Sequence, residues 1–579
     1  MDADRQKKGF PLKELLILVY LAAGCLGVAA RIASFGASPE MLFYFGLYGL
    51  LAISLLLTAY VENNALRCIY ALLLFASAVF GQSVEQITDE PLTYDSFINL
   101  FNSIGFAGDA LDQHMRPMAW AVLGALPLLA GIALKPRRAP ALQRRLFSAA
   151  PVAGVLVLSA ILFVRGGEGA TGLPSAFPPL AYSTILLYES ETAVSGPVRQ
   201  VAIPRRGAVR RDIVLVIDES VSGNYLDLNN PAGVRTGLAG PHPGIDILNY
   251  GYAASITNCS VGTNVTLRHG GTRAGYQAIN ATMPSIWDYA RKAGLRTVYI
   301  DAQRTRGQLQ NLMTEEERRG LDAFVQFDRV PVRDRDMAAL STLAGLLANR
   351  SAEFIIINKM GAHFPVQDKY PDSFMRYRPV LARGGYADVG DTGSRAGFGG
   401  SPDDWLRYRN SYRNALLWNV GAFFDRLFAH ADLSNATLVY TSDHGQDLHE
   451  RGNPGLDTHC SANPVAEEGL VPLVVIQGSA LRTLDWRRNL ESNRNRVSHY
   501  QIFPTLLALM GYDPAKVRAI YGDSLVERSR DALTFNTRFN ARLGLKPVWK
   551  RIDPRRIVAP PPDRELRAAV GGPQPRLSE

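Results

Sequence analysis

The sequence predicts two parts, a membrane domain of five helices and an α/β domain outside the cytoplasm whose central sheet is mainly parallel. Three observations support this division. Long runs of Leu, Ala, Val and Phe fill the chain before residue 165, and basic residues concentrate in two short segments, one before the first run and one between the last two. After residue 165, short apolar runs alternate with helical patterns. A chain of 579 residues is also too long for one ordinary domain.

Five apolar stretches precede Arg165, and each is close to the roughly 20 residues that a helix needs to cross a membrane. They are residues 15–30, 41–61, 68–84, 118–134 and 147–164. A cleavable signal peptide is short and single, so the first stretch is predicted to be a retained helix. We therefore assign residues 1–165 to a membrane domain rather than to the core of a soluble protein.

Basic residues in short loops predict the orientation of the spans, because such loops remain cytoplasmic. Four precede the first span and five lie between the fourth and fifth: Arg5, Lys7, Lys8, Lys13, Lys135, Arg137, Arg138, Arg144 and Arg145. An odd number of spans then carries everything after residue 165 across the membrane. In a bacterium this side is the periplasm.

The net charge and the cysteine positions indicate which kind of partner the protein binds and which compartment its second part occupies. The formal net charge is +9, but much of the excess lies in the cytoplasmic loops and no nucleic-acid motif is present. A basic surface beside a membrane is more suited to anionic lipid headgroups. Cys25 and Cys68 lie in predicted spans, whereas Cys259 and Cys460 face the oxidising compartment and could pair with each other.

Three further segments complete the domain organisation. Apolar residues at helical spacing in 93–112 predict an amphipathic helix, which either lies in the outer membrane interface or packs on the soluble domain. Residues 166–211 are rich in Gly, Pro, Ser and Arg and predict a linker to the α/β domain at 212–545. Residues 546–579 are rich in Pro and Arg, which predicts a disordered tail.

The alternation after residue 212 is typical of a mainly parallel sheet covered by helices. Apolar runs that predict buried strands occur at 213–217, 297–300, 354–357, 437–440 and 471–476. Helical patterns lie between them at 285–293, 336–348, 406–428 and 501–510. In such sheets the reactive groups gather at the carboxyl ends of the strands.

Two of these strand ends carry residues suited to a metal. Glu219 follows the first strand, and Asp443 with His444 follows the strand that ends near residue 440. A carboxylate and an adjacent Asp-His pair can converge on one divalent ion. Between them in sequence, residues 257–268 form a glycine-containing turn rich in hydroxyls. A hydroxyl from this turn, bound to the same ion, would lose its proton readily and act as a nucleophile.

These motifs, in this order and behind five spans, resemble the bacterial phosphoethanolamine transferases of the alkaline phosphatase and sulfatase superfamily, including those that modify lipid A. The resemblance extends from the first span to about residue 515. It implies a sulfatase-like α/β domain in the periplasm of a bacterial inner-membrane protein. It also implies transfer of phosphoethanolamine from phosphatidylethanolamine to an envelope lipid or glycan, by a monomer.

The resemblance further implies a role for several residues. Glu219, Asp443 and His444 would bind zinc, with manganese as the alternative. Thr263 would be both the fourth ligand and the nucleophile that carries a phospho-threonine intermediate. Substrate would be bound by three further residues, namely His363, Asn264 and His459.

Some features depart from the family pattern and leave alternatives open. The turn reads Cys-Ser-Val-Gly-Thr at 259–263, and the soluble domain has only two cysteines. Ser260 and Thr266 are therefore rivals to Thr263 as nucleophile. The turn also lacks the Cys/Ser-x-Pro-x-Arg order of true sulfatase nucleophiles, which argues against sulfate ester hydrolysis. A phosphoglycerol transferase is the alternative enzyme, and a catalytically silent membrane sensor is the alternative of another class.

Overall fold

The computed structural model describes residues 12–36, 38–88, 91–102, 107–135, 141–191, 195–207, 209–349, 351–384, 398–453, 455–461, 463–538 and 546–560. The chain divides into two compact units after Glu191. The first unit is helical, and the second contains every strand in the described part of the chain. This agrees with the predicted division into an apolar helical domain and an α/β domain.

The described part of the first unit contains eight helices: α1 (Leu12–Ala23), α2 (Cys25–Phe35), α3 (Pro39–Thr58), α4 (Asn64–Thr88), α5 (Tyr94–Asn102), α6 (Ala107–Ala133), α7 (Ala141–Val164) and α8 (Pro178–Glu191). Within the described residues, four helical stretches are long and apolar enough to cross a membrane. They are Pro39–Thr58, Asn64–Thr88, His114–Ala133 and Phe147–Val164. These four correspond to the second to fifth predicted spans.

The first predicted span is built from two shorter helices, α1 with 12 residues and α2 with 11. Gly24, between them, has φ −84° and ψ 2°, which is outside the α-helical range. Gly27 lies against Gly172, since a Cβ added to Gly27 would be 3.0 Å from the Cα atom of Gly172. The break therefore occurs where small residues let another backbone segment approach closely.

Two segments of this unit differ from the sequence predictions. The predicted amphipathic helix at 93–112 is divided: α5 ends at Asn102, α6 begins at Ala107, and residues 103–106 lie outside the described residues. Inside the predicted linker, the structure contains α8, which begins with a Pro pair and buries Tyr182. The Tyr94 hydroxyl on α5 donates a hydrogen bond of 2.6 Å to the Glu189 carboxylate on α8. This packing explains why residues 178–191 are ordered.

The second unit contains an eight-stranded sheet in the order β4-β3-β5-β1-β6-β7-β2-β8. Its strands are β1 (Asp212–Asp218), β2 (Ile245–Ala254), β3 (Arg296–Asp301), β4 (Ala323–Gln326), β5 (Glu353–Asn358), β6 (Ala436–Ser442), β7 (Leu470–Gly478) and β8 (Val497–Ser498). The five strands from β4 to β6 are parallel, whereas β7 is antiparallel to both β6 and β2. The prediction of a mainly parallel sheet is confirmed.

Helices cover both faces of this sheet. They are α9 (Ser260–His269), α10 (Tyr276–Thr282), α11 (Ile286–Lys292), α12 (Glu315–Arg319), α13 (Arg335–Ala348), α14 (Pro402–Leu416), α15 (Phe423–His430), α16 (Leu490–Asn493), α17 (Ile502–Leu509) and α18 (Pro514–Tyr521). Val214 and Val216 of β1 pack into the core with α13 to α15. Ile213 and Leu215 pack into the core with α11 and α17. Because both faces of β1 are buried, its sequence is continuously apolar rather than alternating.

The segment after residue 546 is partly ordered, in contrast to the predicted disordered tail. A two-stranded sheet joins β9 (Thr534–Asn536) to β10 (Trp549–Arg551). The backbone N–H of Asn536 donates a hydrogen bond of 2.8 Å to the carbonyl oxygen of Ile256. Farther on, the Val558 N–H donates to the Glu467 carboxylate at 3.0 Å. Residues 561–579 of the predicted tail lie outside the described residues.

Candidate metal centre and active site

Three side chains from two neighbouring strand ends form a buried cluster. Glu219 follows β1, while Asp443 and His444 follow β6, and these two strands are parallel neighbours. One ligand atom from each of the three residues lies within 4.8 Å of the other two. Glu219 is 2% exposed, and the other two side chains are fully buried. The three residues predicted as metal ligands are therefore brought together.

The hydrogen bonds around this cluster leave ligand atoms free to bind a cation. The Nδ1 atom of His444 lies 2.7 Å from the Gly445 carbonyl oxygen and donates to it, so Nε2 is the ring nitrogen that faces the carboxylates and could bind a metal. That Nε2 atom lies 3.2 Å from Glu219 Oε1 and 3.8 Å from Asp443 Oδ2. Asp443 Oδ2 is buried and has no hydrogen-bond donor among the described residues. An orphaned buried carboxylate oxygen is typical of a cation site.

The charges in the cluster also favour a bound cation. Burial, followed by the charge of Glu219, raises the pKa of Asp443 well above its ordinary value. Burial alone would lower the pKa of His444, but the carboxylates of Asp443 and Glu219 raise it to about 9. Burial alone would also raise the pKa of Glu219, but its hydrogen bond with His444 and the charge of His363 hold it well below the usual range. The cluster therefore attracts positive charge, as carboxylate and imidazole ligands of a divalent metal do.

The hydroxyl of Ser260 lies against the same cluster. Ser260 is the first residue of α9, and Cys259 is the N-cap. The Oγ atom of Ser260 is 3.1 Å from Oε1 and 3.2 Å from Oε2 of Glu219. It is also 3.2 Å from Nε2 of His444. Ser260 therefore joins the three ligands at the N-terminus of a helix, where unpaired backbone N–H groups favour a phosphoryl group.

The structure differs here from the sequence prediction, which assigned the nucleophile and fourth ligand to Thr263. The Oγ1 atom of Thr263 lies 3.3 Å from the backbone nitrogen of Thr257 and 3.4 Å from its carbonyl oxygen. No hydrogen bond between described residues joins Thr263 to the cluster. Thr266, the other rival, bonds to Asn280. The reason is the start of the helix: α9 begins at Ser260, so Thr263 lies almost one turn farther from the helix terminus.

The side-chain amide of Asn264 is used within α9 rather than at the cluster. Its Nδ2 atom donates a hydrogen bond of 3.0 Å to the carbonyl oxygen of Ser260, and the side chain is 2% exposed. In the structure it supports the first turn of α9. Its predicted role in binding substrate therefore has no support from its contacts.

Two predicted substrate-binding histidines lie beside the cluster and are partly exposed. The ring of His459 stacks on that of His444 with centroids 4.5 Å apart. The ring centroid of His363 is 5.9 Å from that of His459. The Nδ1 atom of His363 hydrogen-bonds the carbonyl oxygen of Phe364 at 2.7 Å, which orients Nε2 the other way. These rings form a polar mouth above the buried carboxylates.

Cys259 and Cys460 form a disulfide, as the sequence prediction allowed. Their Cα atoms are 5.0 Å apart, and 201 positions separate them in the sequence. The backbone N–H of Cys460 also donates a hydrogen bond of 2.9 Å to the carbonyl oxygen of Asn258. The disulfide links Cys259, the N-cap of α9, to Cys460, the residue after His459. It therefore holds the Ser260 hydroxyl and the His459 ring on the same side of the site.

Sequence reasoning missed the buried charges beneath Glu219. Lys359 Nζ lies 2.7 Å from Asp218 Oδ1, and both side chains are fully buried. Asp336 accepts hydrogen bonds from the backbone N–H groups of Met360 and Gly361 at 2.6 and 3.0 Å. A Cβ on Gly361 would lie 2.5 Å from the carbonyl oxygen of Glu219. The loop that leads to His363 is thus packed directly on the Glu219 backbone. The one signal for these buried charges in the sequence is Asp218, the carboxylate next to Glu219.

The residues that form this site lie within a recognisable family domain. Residues 211–512 match the family model for sulfatases. The chain belongs to the sulfatase family. It is therefore an enzyme of the alkaline phosphatase and sulfatase superfamily, and the sheet, the strand-end ligands and the hydroxyl on α9 all lie inside the matched region.

Two solved structures are similar to this sulfatase-family chain to different degrees. The integral membrane lipooligosaccharide phosphoethanolamine transferase A of Neisseria meningitidis is similar with a TM-score of 0.62 and 18% identity, over 87% of this chain and 96% of that chain. The zinc complex of the C-terminal periplasmic domain of EcEptC from Escherichia coli has a TM-score of 0.44 and 18% identity, over 59% of this chain and 92% of that chain. Among curated proteins, none matches the sequence significantly.

Proposed function

We propose that this enzyme transfers phosphoethanolamine from phosphatidylethanolamine to an envelope lipid or glycan. The observation that carries the proposal is the Ser260 hydroxyl at the N-terminus of α9, 3.1 Å from Glu219 and 3.2 Å from His444. A nucleophile at a helix terminus beside buried metal ligands suits phosphoryl transfer. The fold is shared with the Neisseria lipooligosaccharide phosphoethanolamine transferase, and the name of that protein supports phosphoethanolamine as the transferred group and an envelope lipid as the acceptor.

Glu219, Asp443, His444 and Ser260 would hold the metal, and zinc suits this set of carboxylate, imidazole and hydroxyl oxygen best, with manganese as the alternative. When bound, the ion lowers the pKa of a hydroxyl that it contacts and offsets negative charge on a phosphoryl group. The orphaned Oδ2 atom of Asp443 and the buried Glu219 carboxylate are the features that such an ion would satisfy.

The protein's own side chains account for the two steps of transfer. Ser260 loses its hydroxyl proton to solvent, and its Oγ atom forms a bond to the phosphorus of the lipid phosphodiester while the bond from phosphorus to the diacylglycerol oxygen breaks. His363 or His459, at the exposed mouth, gives a proton to that leaving oxygen. Phosphoethanolamine is then bound to Ser260, in place of the phospho-threonine predicted at Thr263. An acceptor hydroxyl or phosphate then attacks the phosphorus, and the bond from phosphorus to Ser260 Oγ breaks. The histidine regains its proton from the acceptor hydroxyl or, for a phosphate acceptor, from solvent, and Oγ takes up a proton from solvent.

The location follows from the same proposal. The apolar helices of the first unit anchor the chain in a bacterial inner membrane, and the basic segments at 5–13 and 135–145 keep their side in the cytoplasm. The sulfatase domain then lies in the periplasm, where both the lipid donor and the envelope acceptor are available. No other chain is needed to complete the site, in keeping with a monomer.

Sulfate ester hydrolysis is not proposed, although the family is named for it. The order Ser-x-Pro-x-Arg does occur, at residues 195–199, but this segment precedes β1 and lies outside the region that matches the family. At the cluster itself the sequence reads Cys-Ser-Val-Gly-Thr over 259–263. An unmodified serine beside a metal is suited to phosphoryl transfer.

The proposal is tested with the purified full chain in detergent micelles that contain phosphatidylethanolamine or, separately, phosphatidylglycerol. Release of diacylglycerol from phosphatidylethanolamine alone, together with a phosphoethanolamine adduct on Ser260 found by mass spectrometry, is the expected result. Release from phosphatidylglycerol alone would favour the phosphoglycerol transferase. Turnover of neither lipid, with zinc supplied, would favour the silent sensor and contradict the proposal.

A further inference from the structure

Gln303 lies beside Glu219 and contacts its Oε2 atom. It follows the end of β3 by two residues, and its side chain is 9% exposed. Its Nε2 atom is 3.2 Å from Glu219 Oε2 and 2.8 Å from the carbonyl oxygen of Lys359. Gln303 therefore bridges a candidate metal ligand and the loop that carries His363.

The orientation of the Gln303 amide is determined by its neighbours. The Nε atom of Arg304 lies 3.0 Å from Oε1 of Gln310, and a guanidinium can only donate. The amide nitrogen of Gln310 must then face Gln303, whose Oε1 accepts its hydrogen bond at 2.8 Å. This leaves the Gln303 amide N–H groups directed at Glu219 and at the Lys359 carbonyl, which can only accept. Gln303 Nε2 also donates to Asn358 Oδ1 at 3.3 Å. The amide thus donates to the carboxylate and cannot be reversed without losing four hydrogen bonds.

This glutamine rests on a rigid base at three adjacent strand ends. Asp301, which ends β3, accepts hydrogen bonds from the Gln303 backbone N–H at 3.0 Å and from Asn358 at 3.3 Å. Gln326, which ends β4, donates to the other Asp301 oxygen at 2.9 Å. Because strand ends move little relative to one another within a sheet, the Gln303 amide is held at a constant position relative to Glu219.

The two oxygens of Glu219 have different surroundings. Oε1 faces His444 Nε2 at 3.2 Å, on the side of the metal cluster. Oε1 also accepts a hydrogen bond of 3.0 Å from the Ser220 hydroxyl, and the Ser260 hydroxyl is shared, at 3.1 Å from Oε1 and 3.2 Å from Oε2. The Gln303 amide donates to Oε2 alone, at 3.2 Å. A carboxylate that binds a metal through one oxygen is oriented by a donor on the other, and losing such a donor typically costs affinity for the metal. We propose that Gln303 is a positioning residue that orients Glu219 for metal binding. This inference rests on the proposed function, in which Glu219 is a ligand.

The test measures zinc affinity rather than turnover. The full chain is purified in detergent, stripped of metal, and titrated with Zn²⁺ in competition with a chelating dye. Gln303→Met keeps the length of the side chain but removes the amide, and it should raise the Kd for zinc by roughly 10- to 100-fold. The matched control is Gln477→Met, which changes another buried glutamine that bonds to Trp486 and Thr483 at the opposite end of the sheet. The control should bind zinc as the unmodified chain does.

Two further variants make every outcome decisive. Glu219→Ala should abolish zinc binding at this site. If it does so while Gln303→Met binds zinc with unchanged Kd, the role of Gln303 is overturned and the metal site remains. If Glu219→Ala also binds zinc normally, the metal centre of the proposed function fails and this inference fails with it. Should Gln303→Met not fold, Gln310→Met keeps Gln303 but releases its amide oxygen. Weaker zinc binding by that variant supports the inference, and an unchanged Kd overturns it.

Discussion

The hydroxyl oxygen of Ser260 lies 3.1 Å from the nearer carboxylate oxygen of Glu219, although the two residues are separated by 41 positions in the sequence. This contact joins the start of α9 to the end of β1. It places a nucleophile beside three candidate metal ligands without any further rearrangement of the backbone. The first prediction follows directly from it.

Ser260→Ala should abolish phosphoethanolamine transfer, with a loss of about three orders of magnitude or more, because it removes the attacking oxygen. Thr263→Ala should retain most activity, because the Thr263 hydroxyl bonds only the Thr257 backbone among the described residues. Diacylglycerol release by the two purified variants distinguishes them. The opposite ranking would restore Thr263 as nucleophile and require α9 to rearrange when the lipid binds.

Cys460→Ser should destabilise the sulfatase domain by about 2–4 kcal/mol, because the Cys259–Cys460 disulfide closes a loop of 201 positions. Denaturant unfolding followed by tryptophan fluorescence measures the change in the free energy of unfolding. Cys68→Ser is the control, since Cys68 is a free cysteine in the first unit. Equal unfolding curves for the two variants and the unmodified chain would exclude a stabilising bond.

Acid should weaken the domain through Glu317. Burial alone would raise the pKa of Glu317, but the Arg268 guanidinium at 2.7 Å holds it well below its ordinary value. A carboxyl whose folded pKa is lowered stabilises the fold above its unfolded pKa of about 4.3, and that stabilisation is lost as the pH falls below it. Glu317→Gln should therefore cost about 3–5 kcal/mol near neutral pH, because Arg268 would remain buried and unpaired.

Thermal unfolding of the unmodified chain and of Glu317→Gln, measured at neutral pH and below about pH 4, checks this dependence. The difference in melting temperature should shrink as the pH falls. Arg318→Gln is the control, because its partner Glu315 is 53% exposed and the pair should contribute little. A difference that stays constant with pH would assign the effect of Glu317→Gln to packing rather than to charge.

The membrane topology predicts that the whole sulfatase domain faces the periplasm. Alkaline phosphatase fused after residue 200 should be active, because that enzyme requires an oxidising compartment to form its disulfides. A fusion at residue 140, in the basic segment between the fourth and fifth spans, should be inactive. An inactive fusion at residue 200 together with an active fusion at residue 140 would show the opposite orientation. The sulfatase domain would then lie in the cytoplasm, away from the proposed periplasmic substrates.

Composition and local pattern alone were sufficient for much of the architecture. A strand buried on both faces is continuously apolar, so residues 213–217 identify β1 without any knowledge of its neighbours. Glu219 and the Asp443–His444 pair were found because parallel strands deliver whatever follows them to one edge of the sheet. The long apolar helices were found in the same way. In each case the signal is local, since burial or strand direction leaves its mark on consecutive residues.

Tertiary structure decided the features that depend on how separate segments dock. The sequence favoured Thr263 as the nucleophile, with Ser260 and Thr266 as rivals, and only the position at which α9 begins, next to Glu219, selects Ser260. Gln303 has no motif, because its contact with Glu219 joins residues that are 84 positions apart. The same holds for the order of residues 546–560, whose strand pairs with β9. Such contacts form when segments that are distant in the sequence pack together. Because this packing produces no local pattern of residues, the sequence alone does not predict it.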